Sequence, residues 1–424
     1  MPGVTVLPAL WAGLASAIAP GLRVMLRRRQ ARGKELPGRL AERWGEDRTP
    51  RPAGRLLWLH AASVGETVSV LPVLAALPAD LTVLMTTGTV TSAALLNRRL
   101  AMGLEQRVLH RFVPLDVPGW VARFLDHWRP DVAAFVESEL WPNMIAACRS
   151  RGVRLMLVNA RMSVGSFRWW RRAPGFARRV LGSFESVRAQ SSADAERLVA
   201  LGARGVSAPG DLKFAALPLP VDGAELERLR GVLGERPVWL AASTHPGEEE
   251  IVIDVHRRLV EAYPGLVTVI APRHPERGAD VAGLAAGLSV TRRSLDQGPP
   301  EGGIWVADTL GELVLLYRLA GIAFVGRSLA AHGGQNPLEP ARLGCAVAVG
   351  PHVENFIGAV GVLDAAGALA HVSGAADLAA WVDGMLRDPA ARAAMGRAAE
   401  AAATKYEALP AETAAALLAL FPAR

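Results

Sequence analysis

The sequence predicts an α/β protein built from two consecutive open parallel-sheet domains, and three observations carry that expectation. Short apolar runs rich in β-branched residues alternate with amphipathic stretches, as in strands buried on both faces and flanked by helices. The pattern breaks near 215–224, where AALPLPVDGA places two prolines and a glycine, and then starts again. Finally, 424 residues are too many for one hydrophobic core and suit two or three domains.

Before this pattern lies an apolar segment. Residues 4–26, VTVLPALWAGLASAIAPGLRVML, carry one charge, Arg23, and RRRQARGK (27–34) follows. The run approaches the ~20 residues that cross a bilayer, although Pro8 and Pro20 interrupt it. A cleaved signal peptide has its basic residues before the apolar segment, and here they come after it. Basic residues on that side hold it in the cytoplasm. Residues 1–34 are therefore expected to form a membrane-associated helix with a basic flank, either spanning the bilayer or lying in its interface.

From residue 55, LLWLH, LTVLMTT, VLHRFV, VAAFVE, RLMLVN and SVRAQ read as strands, with helices such as VSVLPVLAAL and AERLVALG between them. They define a first domain over 35–216, followed by a linker over 217–224. In the second domain, 225–424, PVWLAAS, LVTVIAPR, GIWVAD, GIAFVG and CAVAVG are strand-like, and the alanine-rich 375–420 is helical. Two such domains are expected to face a cleft, with ligands at the carboxyl ends of the strands.

Composition narrows the class. The chain is 51% hydrophobic and 21% charged, which is globular. Its net charge of +7 points to an acidic partner: nucleic acid, anionic lipid or a phosphorylated substrate. Cys148 and Cys345 lack metal-ligand spacing and read as buried free thiols.

Nearly every polar cluster falls just after a strand. HAASVGE (60–66), ESELWPN (137–143), NARMS (159–163) and GDLKF (210–214) do so in the first half. STHPGEEE (243–250), PRHPER (272–277), DTLGE (308–312) and GRSLAAHGGQNPLE (326–339) do so in the second. Ser63 and Glu66 have the spacing of a capping box, so Glu66 reads as a helix cap or as a general base. A helix dipole there would favour ionised Glu66. Glu137 and Glu139 either share a strand face, where one would be pushed up in pKa, or belong to a turn before a helix begun by Pro142. In GGQNPLE, Asn336 reads as a cap, Pro337 as the first helical residue and Glu339 as part of the first turn. Free N–H groups there would suit phosphate. Arg273 and Lys213 could pair with a phosphate or a sugar acid. Residues 161–179 carry six arginines, no acid and a tryptophan pair, which suits a nucleic-acid patch, a solvated face or a phosphorylated lipid surface. With an apolar N-terminus in the same chain, the lipid surface is favoured over nucleic acid. GxxxxGK[ST], HExxH, GxSxG and D-x-D motifs are absent from the sequence.

Taken in order, HAASVGE, ESELWPN, NARMS, GDLKF, STHPGEEE, PRHPER, DTLGELVLLY and GGQNPLE resemble the 3-deoxy-D-manno-octulosonic acid (Kdo) transferases of lipopolysaccharide synthesis. The likeness runs from the ERWG at 42–45 to GPHVENF at 350–356. It implies a two-domain GT-B glycosyltransferase that needs no metal or other cofactor and is anchored at the cytoplasmic face of the inner membrane, where the basic residues would meet anionic lipid. Kdo would move from CMP-Kdo to the lipid A precursor, a tetraacyldisaccharide bisphosphate, with inversion. The resemblance implies that Glu66 is the base and that Glu137 and Lys213 stabilise the transition state. CMP contacts would fall on Pro272, Arg273, Leu310, Gly311, Glu312, Asn336, Pro337, Leu338 and Glu339. The acceptor would meet Ser63, Arg161, Arg168, Arg171 and Arg172. Arg327 departs from the family, since Gly326-Arg327-Ser328 stands where two glycines and a serine are expected. Two other classes compete: a membrane-associated GT-B enzyme or epimerase using a UDP-sugar, and a non-enzymatic basic membrane-binding protein.

Overall fold

The computed structural model describes residues 6–100, 107–215 and 221–422. The chain divides into two compact units, Met1–Ala216 with Ala408–Arg424, and Leu217–Glu407. The first part of the expected linker, 217–220, lies outside the described residues. Asp222 caps the helix Gly223–Leu233 that follows, accepting from the N–H groups of Ala224 and Glu225.

In the first unit, β1 (Leu56–Ala61), β2 (Thr82–Thr87), β3 (Val108–Phe112), β4 (Val132–Val136), β5 (Arg154–Ala160), β6 (Ser186–Ala189) and β7 (Val206–Ser207) form one sheet. Its order is β3-β2-β1-β4-β5-β6-β7, and the pairs are parallel. All of β1 and β4 is buried, which explains their unbroken apolar runs. Trp58 fills the space under the sheet with Phe124 and Phe135, at ring distances of 4.8 and 5.3 Å.

The second unit repeats the plan with β8 (Val238–Thr244), β9 (Val267–Pro272), β10 (Val290–Arg292), β11 (Gly303–Val306), β12 (Ile322–Val325), β13 (Ala346–Val349) and β14 (Ala370–His371). The order is β10-β11-β9-β8-β12-β13-β14. Each sheet therefore has a switch point, where the chain leaves one side of its first strand and resumes on the other. It lies between β1 and β4 in the first unit and between β8 and β12 in the second. The short edge strands β7, β10 and β14 escaped the sequence reading, because two or three residues show no periodicity.

One expected boundary is corrected. The final helix, Leu409–Leu418, belongs to the first unit and not to the second domain. It packs on the helix Val64–Ala76 and on the 3-10 turn Leu212–Ala215, burying Leu409, Ala414 and Leu417. An Arg188–Glu412 ion pair at 3.2 Å and the Arg55 guanidinium over Phe421 hold it there. Periodicity shows that such a helix has an apolar face but not which surface covers it.

The N-terminal helix, Val6–Ala31, lies along the first unit. Pro8, Ala12, Ala15, Ala19, Leu22 and Leu26 form its inner, less exposed stripe, while Leu7, Leu10, Leu14, Ile18 and Met25 stay exposed. The Trp11 indole donates to Asp116 at 3.3 Å, Arg23 stacks over Trp44 and Trp120, and Arg29 pairs with Glu35 at 2.9 Å. Leu7–Ala31 is the one helix among the described residues long and apolar enough to cross a membrane. Both cysteines are buried and free, and burial pushes their thiols up.

Candidate active site

The switch-point crevice of the first unit is flanked by HAASVGE after β1 and ESELWPN after β4, because a parallel strand delivers its following loop to the carboxyl edge. Ser63 caps the helix Val64–Ala76, and its hydroxyl accepts from the Glu66 N–H at 3.3 Å. The Glu66 carboxylate reaches back, accepting from the Ser63 hydroxyl at 2.7 Å and the Ala62 N–H at 2.8 Å. Glu66 is 9% exposed. Burial pushes its carboxyl above the usual glutamate range, and the charges of Glu139 and Glu137 add to that, while Ser63 and Ala62 oppose it. The direction is upward because desolvation outweighs the Ser63 and Ala62 hydrogen bonds that favour the charged form.

Glu137 follows β4 with a left-handed backbone, φ 57°. Its Oε1 lies 2.6 Å from the ammonium of Lys213, a close ion pair. Lys213 stands on the 3-10 turn Leu212–Ala215, which Asn159 anchors at the end of β5. The Asn159 amide donates to Asp211 at 3.0 Å, and its carbonyl accepts from the Leu212 N–H at 2.9 Å. Asn159 is itself left-handed, φ 53°, and nearly fully buried. Asn159→Ala is expected to cost about 2 kcal/mol, by leaving the buried Leu212 N–H without its acceptor and taking one of two N–H donors from Asp211, and to displace Lys213. Chemical denaturation and initial rates would check both.

Glu139 faces inward beside these groups. Its Oε2 lies 3.3 Å from Nε2 of buried His60 and accepts from the Trp141 indole at 2.5 Å, while Nδ1 of His60 sits 3.0 Å from the Thr86 hydroxyl. Burial would raise the Glu139 carboxyl, but the His60 hydrogen bond and charge and the Trp141 N–H outweigh it, leaving it lowered. Glu139 therefore stays charged beside Glu66. Were Glu66 to serve as a base, which is lost as pH falls through its pKa, its raised carboxyl would put the acid limb of kcat/KM above the ordinary glutamate range. Glu139→Gln removes one of the charges raising Glu66, and its acid limb is expected to move to lower pH.

Arg161, Arg168, Arg171 and Arg172 are exposed, the last three on or just after the short helix Val164–Trp170, and Arg171 stacks over Phe167 at 5.6 Å. The hydroxyl of Ser63 is committed to Glu66.

The second unit gathers its loops likewise. Pro272 ends β9, and Arg273, whose N–H donates to the Thr244 carbonyl at 3.0 Å, follows it. Leu310 is 80% exposed and Gly311 is left-handed, φ 85°. The Glu312 carboxylate is taken up by Arg293 at 2.7 Å and by the Thr309 hydroxyl, and these hold it below the usual range. Asn336 accepts from the Leu338 N–H at 3.1 Å, and the helix Leu338–Ala341 begins after Pro337, one position later than expected. Glu339 is partly open to solvent, and desolvation of its carboxyl pushes it up, opposed by Arg342, Asn336 and Arg273. Gln335 has a buried amide nitrogen with no protein partner among the described residues, a donor that a ligand oxygen could satisfy.

Two features here were not read from the sequence. Fully buried Glu248 accepts from the N–H groups of Arg327, Ser328, Leu329 and His245 at 2.6–3.0 Å, fixing the turn after β12. His245, His274 and His332 converge, with His245 5.9 and 5.6 Å from the other rings. The glutamate run of STHPGEEE and its two histidine-bearing neighbours were the available signals. The Arg327 departure also gains a physical meaning: its backbone is left-handed, φ 61°, the conformation glycine adopts without strain.

Residues 38–216 match the family described as 3-Deoxy-D-manno-octulosonic-acid transferase (kdotransferase). A probable mitochondrial 3-deoxy-D-manno-octulosonic acid transferase of Arabidopsis thaliana is 37% identical over 398 residues, covering 90% of this chain and 88% of that protein. The Bordetella pertussis 3-deoxy-D-manno-octulosonic acid transferase is 38% identical over 373 residues, covering 84% and 85%. Among solved structures, a UDP-GlcNAc 2-epimerase from Neisseria meningitidis superposes with a TM-score of 0.59 at 13% identity, covering 86% of this chain and all of that one. A glycosyltransferase from Rickettsia africae gives 0.55 at 13% identity, covering 87% and 99%. These last two speak to the fold alone, which is GT-B-like. With paired Rossmann-like units, polar motifs at both switch points and relatives matched over most of their length, the chain is a glycosyltransferase and belongs to the 3-deoxy-D-manno-octulosonic acid transferase family.

Proposed function

We propose that the protein moves Kdo from CMP-Kdo to the tetraacyldisaccharide bisphosphate precursor of lipid A, with inversion and without a metal, in lipopolysaccharide synthesis. The observation that carries this reading is the buried Glu66 carboxylate, held at the switch-point crevice beside the Glu137–Lys213 pair. Glu66 takes the proton of an acceptor hydroxyl as that oxygen bonds to the anomeric carbon of Kdo. The bond from that carbon to the CMP phosphate breaks, and CMP leaves with the electron pair. Lys213, oriented by Glu137, offsets negative charge developing in the transition state. On the second unit, Arg273 and the Asn336–Glu339 turn receive the nucleotide, with exposed Leu310 and Gly311 beside them. Occupied by Arg293, Glu312 supports this loop by its position and backbone. Arg161, Arg168, Arg171 and Arg172 attract the acceptor's phosphates.

Mass spectrometry of the lipid after incubation with CMP-Kdo tests the reaction, and protection by CMP but not UDP tests the donor. Folded protein that yields no lipid heavier by a Kdo unit would overturn the reading.

The protein is further proposed to act at the cytoplasmic face of the inner membrane. A helix whose inner, less exposed stripe runs along its own domain from Pro8 to Leu26 is suited to lie in the interface with Leu7, Leu10, Leu14 and Ile18 in the lipid. Exposed Arg27, Arg28 and Arg32 add attraction to anionic headgroups. Replacing Leu10, Leu14 and Ile18 together by Glu is expected to release most of the protein from vesicles in a flotation assay, with turnover of detergent-dispersed acceptor retained.

A further inference from the structure

A groove of about 1040 Å³ lies on the first unit, walled by the start of the N-terminal helix at Pro8 and Ala12, the helix Pro142–Ser150 and the helix Pro174–Leu181. Its floor is apolar, with Ile145, Ala146, Ala147, Phe176 and Val180. Its rim carries Arg149, Arg151, Arg178 and Arg179, and no acidic residue lines it. Arg151 is paired with Asp126 at 2.9 Å, whereas the other three guanidiniums are exposed and have no ion pair among the described residues. None of Glu66, Glu137, Glu139 and Lys213 lines the groove.

An apolar trough with uncompensated cations at its edge fits an amphiphile with an anionic head. An acyl chain removes the floor from water, and a phosphate accepts the arginine forks. A neutral amphiphile would leave the three charges unanswered. One wall is the helix whose outer face is a stripe of exposed leucines and isoleucine, so lipid chains are at hand. We propose that this groove binds an anionic glycerophospholipid of the surrounding bilayer, its acyl chain on the floor and its phosphate against Arg149, Arg178 and Arg179. The site goes beyond the transfer reaction, and its test does not depend on turnover.

The full chain is mixed with vesicles of roughly three parts phosphatidylcholine to one part phosphatidylglycerol, the latter carrying an acyl-chain diazirine. Photolysis and peptide mapping should label 142–151 and 174–183 about tenfold more than an equally tagged phosphatidylcholine does. Ala146→Trp, at an exposed position on the floor, should abolish that label. Joint Arg149→Gln, Arg178→Gln and Arg179→Gln should do so as well without touching the core, and labelling of residues 7–25 should persist in both variants. Equal labelling by the phosphatidylcholine probe, or labels unchanged in the folded arginine variant, would overturn the site. Displacement by the lipid A precursor at a lower concentration than by phosphatidylglycerol would instead assign the groove to the acceptor and overturn the phospholipid proposal.

Discussion

Glu66→Gln is expected to fold normally and to lose glycosyl transfer by about 10²–10⁴-fold in kcat, the usual worth of a positioned general base. The glutamine has the same length and can still accept from the Ala62 N–H, and its amide can donate to the Ser63 hydroxyl in place of the present contact. The loss in stability should stay within about 1 kcal/mol, the scale of one capping interaction. What the substitution removes is the capacity to take a proton. Because Glu66 is nearly enclosed, no solvent carboxylate replaces it. Turnover followed by lipid mass spectrometry, beside a thermal melt, separates the two roles. Near-normal turnover with a normal melt would reduce Glu66 to a cap.

Lys213→Ala is expected to lower kcat by about 10²–10³-fold, comparable to removing one preorganised donor from a developing charge. Its side chain is 41% exposed, so its pairing with Glu137 contributes little to folding, and the melt should hardly move. Lys213→Arg keeps the charge but not the compact ammonium geometry, so it should recover only part of the rate. A value of kcat within about twofold of the parent for the alanine variant would leave the pair a surface ion pair. Glu137→Gln probes the same unit from the other side. It frees the ammonium, and because the two act together its loss should not add to that of Lys213→Ala.

The sheet architecture was legible because it is written locally. Unbroken apolar runs such as LLWLH and VAAFV can be buried on both faces only in a parallel sheet under helices, and both became central strands. Each loop motif followed from strand direction, since every parallel strand points its carboxyl end to one edge. The capping geometry of Ser63 and Glu66 was equally local, three residues apart, and cap and candidate base proved to be one side chain.

Other features depend on distance. His60 meets Glu139 across 79 residues, Asn159 meets Asp211 across 52, and Glu248 meets the Arg327 N–H across 79. Nothing near any of these residues specifies its partner, because the pairing is created by which strands lie side by side. The raised Glu66 carboxyl has the same origin. Its neighbourhood in sequence offered only a helix dipole, whereas enclosure by the fold and two carboxylates from the β4 loop set the actual direction.

By itself the sequence determined the fold class, the edge on which the polar motifs stand, the candidate base and the family resemblance. The tertiary structure decided which surfaces meet. It put Leu409–Leu418 against the helix that carries Glu66, laid the inner stripe of the N-terminal helix along its own domain, and anchored Lys213 through Asn159. An amphipathic pattern encodes that a face is to be buried. Shape and charge contributed by distant parts of the chain choose what buries it.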